Sequence, residues 1–271
     1  MKYSFFRDAT ECLLDHERSR AFYKAIARVV RPGDIVLDCG TGTGILAIMA
    51  VKEGARQVIA IEQDRSLAEI AVNNAKSSGQ GDKIQVAHGD AAAFKGHADV
   101  IVMEMLDTGL ITEEQARVIN AFVSKGVITS KTKVIPLMCS NFFELVHYDF
   151  EFYDFHMPMI IQARNSGADE RCLDVLSNAT LYSQVMFNNR IDQKVNYKGQ
   201  VMVTNKGYLN ALKFSTVTNL TEDIMLGATP DMNMHLYVPV HEMVVKAGDI
   251  VNVQISYYMS AGYESLNVNV S

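Results

Sequence analysis

The sequence predicts an α/β domain built on a parallel sheet, followed by an antiparallel β domain. Three observations predict it. Residues 35–64 run strand, glycine turn, helix, strand, acid, which is one half of a nucleotide-binding α/β sheet. Strand and helix patterns then keep alternating as far as residue 135. Beyond Pro136 the pattern changes to short, alternating, β-branched runs separated by turn residues. The predicted division is therefore residues 1–136, an N-terminal helix plus a Rossmann-like domain, and residues 137–271, a β-barrel-like domain.

Taken in order, residues 1–30 read as helical with a break near Ser4 to Thr10, where Thr10 is the candidate cap. Leu13, Leu14, Phe22, Ile26 and Val29 supply the apolar positions. Arg18 is of interest because a ligand with a free carboxylate wants a guanidinium. From spacing alone, a solvated helix face is the favoured reading of that arginine. After the Arg31-Pro32-Gly33-Asp34 turn, Ile35 to Leu37 is a buried strand. Asp38 and the glycines Gly40, Gly42 and Gly44 follow, then a helix over 45–52 with Gly54 as its terminating glycine. Val58 to Ile61 is the second strand, closed by Glu62. A backbone that turns sharply against a ligand cannot carry Cβ atoms, which accounts for the glycines. Glu62 can accept both ribose hydroxyls. The spacing is G-x-G-x-G, not the G-x-G-x-x-G of dinucleotide sites, and Asp38 at the same mouth would repel a phosphate and attract a cation. S-adenosylmethionine has an adenosine, an ammonium and a sulfonium but no phosphate. D-C-G-T-G-T-G with the I-E strand end resembles the cofactor motif of Rossmann-like methyltransferases.

A second helix is expected over 64–79, burying Leu67, Ile70, Ala71 and Ala75. Ile84 to Ala87 is a third strand. Gly89-Asp90 closes it, and Asp90 or a neighbouring amide could meet an adenine amino group; Asp90 could equally cap the turn that follows. Asp99 to Met103 is the fourth strand, and Glu104 stands at its carboxyl end, where open α/β sheets bind ligands. Glu113 returns nine residues later. Two carboxylates held together repel unless a cation lies between them, and a planar guanidinium matches two carboxylates best. Glu113 and Glu114 could instead open the helix that runs to Ser124. Val127 to Ile135 reads as the last parallel strand, and Asn165 to Leu173 as a polar loop within the β domain.

Hydrophobic residues make up 48% of the 271, enough for a full core. The net charge of −6 and the absence of a Lys/Arg cluster disfavour nucleic acid as partner. Cys12, Cys39, Cys139 and Cys172 show no C-x-x-C pairing or metal-ligand spacing, so reduced thiols and no metal are expected. No apolar run approaches the ~20 residues of a membrane span, and Met1 leads directly into a polar amphipathic stretch. These features read as a cytoplasmic protein.

At this point the chain resembles the protein arginine methyltransferase family along nearly its whole length. The segment Y-S-F-F-R-D-A-T-E-C-L-L-D-H-E-R is similar to the family's helix over the cofactor, with Tyr3 at its second tyrosine and Arg18 at the arginine for the methionine carboxylate. Glu104 and Glu113 have the separation of its double-glutamate loop, which clamps the substrate guanidinium. V-I-P at Val134 to Pro136 matches the crossing into the barrel, often at a cis proline, and V-V-K-A-G-D-I-V a late barrel strand. The resemblance implies an S-adenosylmethionine-dependent transferase acting on arginine nitrogens of a protein or peptide, with Asp231 or Glu113 receiving the proton and a homodimer as an option. Three positions depart from the pattern. Pro230-Asp231-Met232 stands where the family has Thr-His-Trp, and the chain has no Trp. Asp107 and Gly109 replace a glycine and a small or apolar residue. The segment from Phe155 to Tyr182, place of the family's dimerisation arm, is short. These departures keep two further readings in view: a small metabolite or another side chain as acceptor, and a non-catalytic cofactor-binding subunit.

Overall fold

The computed structural model describes residues 7–163 and 169–271. It opens with α1 (Arg7–Leu14) and α2 (His16–Val29), which break at Asp15; of the stretch where a break was expected, residues 7–10 lie inside α1 and residues 4–6 lie outside the described residues. Thr10 lies inside α1, and the cap is Asp15, whose carboxylate accepts the Arg18 amide at 3.0 Å. An acid at this position satisfies an amide that the first helical turn leaves without a partner. Sequence periodicity alone does not separate two helices joined by a single residue.

The α/β part continues as β1 (Ile35–Cys39), α3 (Ile45–Lys52), β2 (Gln57–Glu62), α4 (Arg65–Ser77), β3 (Ile84–His88), β4 (Val100–Met103), α5 (Gln115–Lys125) and β5 (Lys133–Ile135). The five strands are parallel in the order β3-β2-β1-β4-β5. Strand order reverses between β1 and β4. Such a switch point opens a crevice at the carboxyl ends of the strands, and Asp38 on β1 and Glu104 just after β4 flank it. Val36, Leu37, Ile101, Val102, Ile119 and Phe122 form the buried centre. The strand expected over 127–135 is only Lys133–Ile135. The amides of Val127 and Ile128 both turn back to the Phe122 carbonyl, and Thr129 and Thr132 close a hydroxyl-bonded turn. Turn chemistry therefore overrides the β-branched composition there.

The Ile135–Pro136 peptide is cis. The chain then enters antiparallel structure: β6 (Met138–Tyr148), β7 (Glu151–Phe152), β8 (Phe155–His156), β9 (Ile161–Gln162), β10 (Cys172–Val175), β11 (Thr180–Met186), β12 (Lys194–Met202), β13 (Gly207–Asn219), β14 (Met225–Leu226), β15 (Leu236–Val245), β16 (Ile250–Tyr258) and β17 (Asn267–Val270). One sheet runs β10-β6-β13-β15-β9, with β11 also on β6 and β14 on β13; a second runs β12-β16-β17. Cys172 and Leu173, expected in a loop, belong to β10, whose Cys172 pairs with Tyr148 of β6. No helix among the described residues is long and apolar enough to cross a membrane.

The loop from β4 to α5 is held from the antiparallel domain. Thr108 Oγ1 donates to the Met234 carbonyl at 2.6 Å, the Gly109 amide donates to Thr216 Oγ1 at 2.9 Å, and the Tyr257 hydroxyl donates to the Gly109 carbonyl at 2.6 Å. Gly109 has φ of 78°, and a Cβ there would lie 2.9 Å from the Tyr182 hydroxyl and 3.2 Å from that of Tyr257. Gly109→Ala therefore combines left-handed strain with overpacking. It is expected to destabilise by about 2–4 kcal/mol, read as a lowered thermal midpoint.

Candidate active site

The glycine turn after β1 follows from backbone needs. The Gly40 and Thr41 amides donate to the Ile61 carbonyl at 2.9 and 3.0 Å, folding the turn over the end of β2. Gly40 has φ of 67°, and a Cβ would strike Met105 Cγ at 2.8 Å. The residue after Glu104 thus packs directly on the turn. Glu62 is buried at the end of β2; its carboxylate accepts the Gly42 amide and the Asp64 amide, each at 2.9 Å. One oxygen therefore holds the turn and the other the start of α4, and both keep lone pairs for a further donor.

Asp38 is 1% exposed. Its Oδ2 accepts the Thr41 hydroxyl at 2.5 Å, while its buried Oδ1 has no partner among the described residues. Burial pushes its carboxyl up to about 6, with the Thr41 hydroxyl and the Ala47 amide pulling the other way. Buried polar atoms are nearly always paired, so Oδ1 marks a position built to meet a donor.

Arg18 is buried, at 3% exposure, not on a solvated face. Its Nη1 donates to Glu104 Oε2 at 2.6 Å and its Nη2 to the Cys12 carbonyl at 2.8 Å; its Nε has no partner among the described residues. Burial pushes the Glu104 carboxyl up to about 7, with Arg18 pulling it down and Glu113 pushing it further up.

A cavity of about 320 Å³ opens beside this pair, and Glu104, Glu113 and Asp231 all line it, with Glu11, Asn233 and Tyr263. The structure thus brings together the three acids singled out in sequence. Glu113 precedes α5, and Glu114 is that helix's N-cap residue. Its return is set by Asp107, which is buried behind the loop. Asp107 accepts the Thr112 amide and hydroxyl at 2.9 and 3.0 Å and the Glu113 amide at 3.3 Å. Sequence reading registered Asp107 only as a departure; its signal was an acid that could satisfy the amides of its own loop. Glu11 and Asp15 were also missed. Cys12 lines the cavity too, but burial first and Glu104 next push its thiol up to about 12, so it stays protonated.

Asp90 accepts the Ala92 amide at 2.9 Å and pairs with both terminal nitrogens of Arg117, at 3.0 and 3.1 Å. Tyr3 lies outside the described residues. No group of His, Cys, Asp and Glu that could hold a metal occurs among the described residues.

Against known proteins, an uncharacterized protein of Methanocaldococcus jannaschii, MJ1452, is 32% identical over 260 residues, covering 95% of this chain and 94% of its own. The chain belongs to the MJ1452 family. A second member, from Methanothermobacter thermautotrophicus, is 31% identical over 94% of each chain. Residues 15–149 of this MJ1452-family protein match the model of the ribosomal protein L11 methyltransferase (PrmA) family. A ribosomal protein L11 methyltransferase of Exiguobacterium is 32% identical over 44% of the chain and 46% of its own. Among solved structures, a Trypanosoma brucei PRMT1 enzyme–prozyme heterotetrameric complex with AdoHcy superposes with a TM-score of 0.77 at 16% identity, over 99% and 98% of the two chains. Arabidopsis thaliana protein arginine methyltransferase 10 gives 0.74 at 15% identity, over the same shares. The MJ1452-family protein is a class I S-adenosylmethionine-dependent methyltransferase: a Rossmann-like sheet with helices, joined to antiparallel sheets.

Proposed function

We propose that this protein transfers the methyl group of S-adenosylmethionine to a guanidinium nitrogen of a protein arginine. The observation that carries the reading is the convergence of Glu104, Glu113 and Asp231 on one cavity at the switch point, beside Arg18. In this reading residues 1–136 are the cofactor domain and residues 137–271 the acceptor and assembly domain.

The cofactor side fits the donor set. Arg18 keeps an unengaged Nε–H for the methionine carboxylate, and the buried Oδ1 of Asp38 faces a donor such as the ammonium. Gly40, Gly42 and Gly44 keep the turn low, and Glu62 takes the ribose hydroxyls. Asp90, committed to Arg117 and the Ala92 amide, shapes the adenine end rather than offering a spare carboxylate. Tyr3 covers the cofactor in the resemblance. S-adenosylmethionine supplies the methyl group on a sulfonium.

On the acceptor side Glu104 and Glu113 hold the guanidinium, fix one nitrogen toward the methyl donor and gather positive charge away from it. An arginine pKa above ~12 makes prior deprotonation costly, so proton loss accompanies transfer. Asp231 or Glu113 receives the proton.

A pH profile follows. Glu104 works as a carboxylate, and its carboxyl in the unliganded protein is raised to about 7. The apparent kcat/KM is therefore expected to fall about tenfold per pH unit below roughly 7 and to level off above it. A profile flat from pH 5 to 8 would contradict this role.

A second reading keeps the cofactor side and changes the acceptor to a small metabolite or another protein side chain. The extra carboxylates of Glu11 and Asp231, in a chain with no Trp, favour it. The name of the PrmA relatives points to a ribosomal protein, which favours a protein acceptor over a small molecule. Labelled S-adenosylmethionine is incubated with an extract of the source cells, split by size. Label in the protein fraction, on arginine, is expected; label among small molecules or on another residue would select the second reading.

A further inference from the structure

Asp15 is 2% exposed, and its two carboxylate oxygens hold two different elements beside the cavity. Oδ1 accepts the Arg18 amide at 3.0 Å and caps α2. Oδ2 accepts the Thr229 hydroxyl at 2.5 Å and the Asp231 amide at 3.2 Å. Thr229 is itself buried and closes a tight turn. Its amide donates to the Met232 carbonyl at 2.8 Å, and its hydroxyl accepts the Met232 amide at 3.1 Å. That turn carries Asp231 and Asn233 into the cavity wall. One carboxylate thus takes three donors from two elements 214 residues apart in sequence.

We propose that Asp15 is a positioning residue that locks the helix bearing Arg18 to the turn bearing Asp231, so that the cofactor side and the acceptor side of the cavity form as one unit. The reason is physical. A helix cap at a free surface needs one amide, and water satisfies the rest of the carboxylate. Here water is excluded, and donors from the barrel replace it. The first turn of α2 therefore sits where the barrel turn puts it. Arg18 is in that turn, and its guanidinium reaches Glu104, so a chain of contacts runs Thr229, Asp15, Arg18, Glu104. The consequence is that Thr229, which touches no group assigned to the cofactor, governs cofactor affinity. This inference rests on the reading of Arg18 as the partner of the cofactor carboxylate.

The test uses the full chain and S-adenosylhomocysteine as probe, with binding measured by calorimetry. Thr229→Val leaves the Asp15 cap on Arg18 in place and removes only the barrel's hydroxyl. It is expected to weaken binding about five- to tenfold. Thr229→Ser keeps the hydroxyl and is expected to bind like the wild type, which separates the effect from a general loss of packing. Asp15→Asn is expected to weaken binding at least as much. The double variant Asp15→Asn with Thr229→Val should be no weaker than Asp15→Asn alone, because both changes cut the same link. A second readout needs no ligand: hydrogen exchange at the Arg18 and Ser19 amides should speed up in Thr229→Val and not in Thr229→Ser. Wild-type affinity and wild-type exchange in Thr229→Val would overturn the inference, as would multiplicative effects in the double variant. Failure of the wild type itself to bind S-adenosylhomocysteine would sink the cofactor assignment instead, and the exchange readout would then decide the link by itself.

Discussion

Glu104→Gln is expected to lower methyl transfer about 10²–10³-fold while changing S-adenosylhomocysteine affinity by no more than about threefold. The transfer loss follows from charge. A carboxylate that grips a cation in a dry cavity contributes about 3–4 kcal/mol at the transition state, and a neutral amide of the same shape loses most of it. Glu104 suits that estimate because it lies in the cavity beside Glu113 and Asp231. The cofactor effect is small for a different reason. Arg18 remains, and loss of its ion pair with Glu104 leaves its guanidinium more available to a ligand carboxylate. Loss of transfer together with loss of cofactor binding would place Glu104 on the cofactor side. Unchanged transfer would remove it from the chemistry.

Arg18→Met is expected to weaken S-adenosylhomocysteine binding about 10- to 100-fold, the scale of one charge-assisted bond in a buried site. It should also change the pH profile in a way that Glu104→Gln does not. Arg18 is the group that pulls the raised carboxyl of Glu104 down. Without it the carboxyl rises above about 7, and the protonated form persists to higher pH. The limb of the kcat/KM profile should therefore move up in Arg18→Met and disappear in Glu104→Gln. The side chains of the pair are only 4% and 13% exposed, so screening by solvent does little to blunt the shift. Initial rates from pH 5.5 to 9 on the two variants check both outcomes. A limb that stayed in place in Arg18→Met would mean that another group sets it.

The parts of this account legible in sequence are those in which one local pattern fixes the outcome. The run from Ile35 to Glu62 gave strand, turn, helix and acid because glycine, β-branched and acidic residues each have a narrow use there. Glu104 could be placed because a strand end in an open sheet is a defined position. Arg18 was different. Its spacing favoured a solvated face, and only the packing of α1 and the end of β4 around it shows why it is buried. Asp15 and Thr229 were invisible for the same reason, since neither has a pattern of its own and their bond joins the two ends of the chain. The strand expected at Val127 failed because Thr129 and Thr132 hydroxyls compete locally for the backbone.

The antiparallel domain adds a physical point about the proposed acceptor side. Loop 107–113 is held by side chains from β13 and β16 and by the backbone before β15, so the loop that returns Glu113 is placed by both halves of the chain. Rigid support of this kind is what a clamp needs, since a shift of an ångström in the reacting groups loses much of the rate.

A guanidinium held by the acidic cavity is the proposal on which the arginine reading depends. The most direct measurement is amino-acid analysis of source-cell protein labelled by the wild type with radioactive S-adenosylmethionine, alongside a Glu104→Gln control. Label is expected as methylarginine and is expected to be absent from the control. Label recovered in another residue, or at equal levels with the variant, would contradict it.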